Sequence, residues 1–86
     1  MYLYLGEKTV VNTDDIIGVF DLDTATVKKS TRLFLEQAEK DGRLITVLGE
    51  DLPKSFVVVK PKNAEKAQNT IYISQISPAT IIKRLK

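Results

Sequence analysis

Apolar and polar positions alternate from the first residues of the chain. Tyr2-Leu3-Tyr4-Leu5 is followed by Gly6-Glu7-Lys8 and then Thr9-Val10-Val11, the pattern of two short strands joined by a tight turn. A polar break, Asn12 to Asp15, precedes "IIGVFDL", whose Ile16, Ile17, Val19 and Phe20 predict a third, buried strand. From Thr26 to Asp41 the period becomes helical. Val27, Thr31, Phe34 and Ala38 form one stripe with Leu35 at its edge, while Lys28, Lys29, Arg32, Glu36 and Glu39 take the far side. Thr26 is the expected N-cap, Gly42 the expected stop, and Arg32 and Glu36 have the spacing of a helical ion pair. Leu33 lies off the stripe, where a large apolar residue marks a candidate second contact surface.

Two strands are expected next, residues 43–48 and 55–59, joined by the loop "GEDLPKS". The segment "KPKNAEKAQN" reads as an exposed connection. "TIYISQI" alternates as a half-buried strand. Ser77 as N-cap, Pro78 at the first helical position and Lys83, Arg84 and Lys86 at the end define a short terminal helix. The predicted order βββ-α-βββ-α makes residues 1–86 a single α+β domain with a largely antiparallel sheet.

Composition narrows the function. With 43% hydrophobic and 28% charged residues, the 86-residue chain is a globular domain, one able to bury roughly 60–65% of its unfolded surface. A chain this small is expected to gain both stability and working surface by self-association. It has no cysteine, which excludes disulfides and thiolate metal sites, and no histidine, which excludes Ser-His-Asp and Cys-His triads and common zinc sites. No apolar run is as long as a membrane span and no signal peptide is evident, so a cytoplasmic protein that does not enter a membrane is expected. The four glycines are too scattered for a phosphate loop. Their places suit turns, a helix end and, at Gly18, a close approach within a strand.

Charge is uneven. Residues 1–26 carry five acids against Lys8, a net of −4, whereas residues 27–86 carry twelve Lys and Arg against six acids, a net of +6. Such asymmetry suits a polyanion partner or copies of the chain meeting head to tail. The cations that could meet double-stranded DNA are Lys28, Lys29 and Arg32 on the helix, Lys54 in the loop, and Lys83 and Arg84 at the end. One enzymatic motif stands out. The Asp21-Leu22-Asp23 run resembles the strand-end Asp-x-Asp of magnesium-dependent haloacid dehalogenase-type phosphatases, in which paired carboxylates share a cation. Only 62 residues follow Thr24, however, too few for the several βα units such enzymes need. The expected protein is non-enzymatic and uses no cofactor.

The N-terminal run carries a more specific resemblance. Tyr2, Leu3, Leu5, Gly6, Val10, Val11, Thr13, Asp15, Ile16, Gly18, Phe20 and Asp21, with Pro53-Lys54-Ser55 and the ending "SPATIIKRL", resemble the small bacterial extracellular-matrix regulators of the RemA/RemB family, particularly its RemB branch. The resemblance implies a cytoplasmic regulator of biofilm matrix genes. In the RemA branch it further implies protomers assembled into a closed homo-oligomeric ring that binds promoter DNA through clustered arginines. Where that branch has an arginine pair after the glycine at the place of Gly49, this chain has Glu50 and Asp51, and Asp15 stands at a further arginine position. The loop therefore poses a choice between DNA and a protein partner. The alternative to a DNA-binding regulator is an assembly or adaptor module acting through that partner.

Overall fold

The computed structural model describes residues 1–6, 8–47, 52–61 and 68–85. Strands β1 (Tyr2–Gly6) and β2 (Thr9–Asn12) form the N-terminal hairpin, with Leu3 opposite Val11 and Tyr4 opposite Val10. Alternation decides its two faces. Leu3, Leu5 and Val11 are buried, whereas Tyr2, Tyr4 and Val10 point to solvent. A 3₁₀ turn over Thr13–Asp15 follows, started by the Asn12 side chain, which accepts the Asp14 N–H at 3.0 Å.

A four-stranded sheet has the order β3 (Ile16–Asp21), β5 (Ser55–Val59), β6 (Thr70–Ser74), β4 (Leu44–Thr46). Its β3–β5 and β5–β6 pairs are antiparallel and its β4–β6 pair is parallel. The expected α+β class and largely antiparallel pairing hold, but β4 and β5 are not hairpin partners, because β6 lies between them. The segment "GEDLPKS" therefore joins two strands that are not neighbours. Residues 48–51 of that loop, and 62–67 of the next, lie outside the described residues.

β5 is buried at all five positions, so both sheet faces are covered where it runs. On one face Val57 and Val59 pack with Leu3, Leu5 and Val11 of the hairpin, Val47, and Ile81 of the terminal helix α3 (Pro78–Arg84). On the other, Phe56, Val58, Ile71 and Ile73 meet Ala38, Leu35, Leu22 and Ala25 of the helices α1 (Leu22–Ala25) and α2 (Lys29–Lys40). The result is three layers: hairpin with α3, sheet, and α1 with α2.

Local chemistry accounts for the element ends. α2 stops in a Schellman arrangement: the Gly42 N–H donates to the Glu39 carbonyl at 3.1 Å and the Arg43 N–H to that of Ala38 at 2.8 Å, with Gly42 at φ 73°. α3 starts as expected, with Pro78 in its first turn and the Ser77 hydroxyl accepting the Thr80 N–H at 3.3 Å. The start of α2 differs from expectation. Thr26 is the C-cap of α1, its hydroxyl donating to the Leu22 carbonyl at 2.6 Å, and Lys28 is the N-cap of α2 without a side-chain bond. The buried side of α2 is Ala38 with half-buried Leu35 and Thr31, whereas Val27 and Phe34 are exposed.

Two buried serines join the layers. The Ser74 hydroxyl donates to the Leu5 carbonyl at 2.8 Å and accepts the Ile76 N–H at 3.1 Å, while the Ser55 hydroxyl donates to the Ile76 carbonyl at 2.7 Å. Ser74→Ala strands two backbone groups at once, so urea unfolding is expected to register a loss of about 1–3 kcal/mol.

Candidate functional site: a basic helix start beside an apolar groove

The candidate site grows from the end of β3. The Asp21 carboxylate accepts the N–H groups of Asp23 at 2.9 Å and Thr24 at 3.2 Å, so the first acid of the Asp-x-Asp run caps α1. Asp23 lies exposed in the first turn, where a carboxylate complements the helix dipole. Among the described residues no three His, Cys, Asp or Glu side chains are grouped to hold a metal ion. Asp21 of the run that suggested a phosphatase thus has a structural role, as the cap of α1.

α1 brings Lys54 and the α2 start to one end of the sheet. The Leu22 N–H donates to the Lys54 carbonyl at 3.0 Å, and one short helix later the chain reaches Lys28 and Lys29 at the first turn of α2. These three lysines are exposed. No acid lies in that first turn, so nothing within it offsets two cations at the positive end of the helix dipole. Arg32 is turned to another task. Its guanidinium donates to the Thr26 carbonyl at 2.8 Å and the Val27 carbonyl at 3.1 Å, clamping the α1–α2 junction. The Arg32–Glu36 ion pair expected from spacing is replaced by Glu36–Lys40 at 3.7 Å.

Lys83 and Arg84 lie elsewhere. They close α3, whose Ile81 packs on the opposite face of the sheet, and the Arg84 guanidinium donates to the Tyr4 carbonyl at 3.4 Å. The six candidate cations thus divide between two layers. Asp15 is half-buried in the 3₁₀ turn, its carbonyl accepting the Lys60 N–H at 2.8 Å. Glu50 and Asp51 fall outside the described residues.

Beside the basic end runs a groove of about 360 Å³, lined by Ile17, Phe20, Phe56 and Val58 of the sheet and by Ala25, Ser30, Thr31 and Phe34 of the helices. The Phe20 and Phe56 rings stack with centroids 4.9 Å apart. Gly18 makes room for this stack, since a Cβ there would stand 2.7 Å from Cε2 of Phe20. The pattern of residues 16–20 predicted a buried strand, yet Ile17 and Phe20 are exposed because β3 is the edge of the sheet. Leu33, marked as off the helical stripe, is exposed as well.

The sequence signature of the RemA-like family, extracellular matrix regulatory protein A-like, matches residues 2–85. The chain belongs to that family. Extracellular matrix regulatory protein B of Bacillus subtilis (strain 168) is similar to this RemA-like chain at 38% identity over 84 residues, covering 98% of this chain and 89% of the relative. The resemblance carried by the N-terminal run, Pro53-Lys54-Ser55 and "SPATIIKRL" therefore extends over almost the whole RemA-like domain. Among its described residues no helix is long and apolar enough to cross a membrane.

Proposed function

We propose that this protein is a non-enzymatic cytoplasmic regulator of extracellular-matrix gene expression that works as a homo-oligomer and contacts double-stranded DNA through Lys28, Lys29 and Lys54. The observation that carries the regulatory role is the likeness along nearly the full chain to a relative named as an extracellular matrix regulatory protein. DNA contact is supported by the cations at the start of α2, whose first turn holds no acid, and by Lys54 at the same end of the sheet. Lys83 and Arg84 lie in the opposite layer and are left out of this contact.

Fluorescence anisotropy with a labelled duplex, at low and moderate salt, tests the reading. The expected result is binding whose logarithm falls with log salt at a slope of about −0.9 per phosphate neutralised. Lys28→Ala, Lys29→Ala and Lys54→Ala together should flatten that slope, while Lys83→Ala with Arg84→Ala leaves it unchanged. Absence of binding even at low salt would overturn the DNA contact and favour the adaptor that acts through a protein partner. The exposed groove beside the lysines is the observation that supports that second reading.

A further inference from the structure

Among the described residues the four-stranded sheet ends at β3 on one side and at β4 on the other, with no further strand beyond either. An unpaired edge presents a row of backbone N–H and C=O groups to any strand that can reach it, and proteins usually guard such edges with lysine, proline or a cover. Neither edge has a lysine or proline within its strand, "IIGVFD" for β3 and "LIT" for β4; the protection present is a register shift between Ile16 and Gly18 in β3 and the three-residue length of β4. Both edges display apolar side chains. Ile17 is 56% exposed, Phe20 43% and, on β4, Ile45 43%.

Strand direction makes the two edges compatible. β5 is antiparallel to β3 and to β6, and β4 is parallel to β6, so β3 and β4 run the same way. A second copy placed head to tail would bring its β4 alongside β3 in parallel and continue the sheet. In that arrangement the strand starts meet. β3 follows Asp14 and Asp15, whereas before β4 Lys40 pairs with Glu36 and Arg43 with Asp41, so an acidic end meets one whose charges are balanced. A two-fold contact of β3 with β3 would instead set acids of like sign near each other's strands and leave both β4 edges open. The head-to-tail contact covers both kinds of edge with one repeated interface.

We propose that the open edge of β3, with the apolar groove beside it, seats the β4 edge of a second copy of this chain. The proposal rests on the self-assembly inferred above and assigns its surface. The pairing strand gains backbone hydrogen bonds from the edge, and the groove formed by Ile17, Phe20, Phe34 and Phe56 receives the neighbour's apolar side chains.

The absence of cysteine makes a clean test available. Ile17→Cys and Thr46→Cys place thiols at exposed positions of β3 and β4, with Phe20→Cys as a second β3 position in case of a shifted register. Each variant is checked by far-UV circular dichroism, then treated with a short bis-maleimide, alone and after co-expression of a β3 variant with the β4 variant. Cross-linked dimer should form in the co-expressed sample at about ten times the yield of either variant alone, as a heterologous interface requires. Light scattering on the unaltered chain separates the two readings. A monomer would overturn self-assembly and this inference together. An oligomer in which no β3–β4 pair cross-links, or in which a single variant cross-links to itself equally well, would overturn the assigned surface alone.

Discussion

Gly6→Ala is expected to lower the unfolding free energy by about 2–5 kcal/mol, from backbone strain and overpacking together. Gly6 closes β1 at φ 151°, a conformation that L side chains rarely adopt. Its missing Cβ also leaves room for Val47, whose Cγ1 a methyl group at residue 6 would strike. Val47 cannot yield cheaply, because it is buried in the cluster that joins the hairpin to the sheet and α3. Against a total of roughly 4–13 kcal/mol for a chain of this length, the loss is large. Urea unfolding of the four members of a Gly6→Ala, Val47→Ala cycle measures it. Val47→Ala should remove the clash, so the double variant is expected to be more stable than the sum of single losses by about 1 kcal/mol or more. Strict additivity would show that Val47 is not what opposes a side chain at residue 6.

The second large effect is expected at Ile81. It is the one residue of α3 that is buried, and it packs among Leu3, Leu5, Val57 and Val59. Ile81→Ala removes the anchor of a seven-residue helix that is far too short to persist alone. The expected cost is about 2–5 kcal/mol by urea unfolding, and amides of α3 should lose hydrogen-exchange protection before those of β5 and β6. Ile82→Ala, next along the helix but exposed, should change stability by less than about 0.5 kcal/mol. Equal losses at the two positions would contradict the packing of α3 described above.

These two residues differ in how far the sequence announced them. Ser77, Pro78 and the closing cations marked α3 as a helix, but its lack of a long apolar stripe gave no indication of which isoleucine docks. Gly6 was legible as a turn residue, while its contact with Val47 brings together residues 41 positions apart. The regulatory family was legible too, because it depends on matching residues and not on their neighbours in space. The placement of the candidate cations was not legible: Lys28, Lys29 and Lys54 lie at one end of the sheet, whereas Arg32 is occupied by the Thr26 and Val27 carbonyls and Lys83 and Arg84 belong to the other layer.

What the sequence determined by itself is whatever is settled within a few residues. The hairpin alternation, the Gly42 stop, the Ser77-Pro78 start and the strand at residues 70–74 all follow from local backbone preferences and side-chain period. Tertiary structure alone decided which strands are neighbours. The same kind of apolar run is core when flanked on both sides, as at β5, and partly exposed when it ends the sheet, as at β3, because burial depends on a neighbouring strand. The loop between β4 and β5 shows the same limit. Its residues announce a break in the chain, but only the insertion of β6 between its two strands makes it a connection across the sheet.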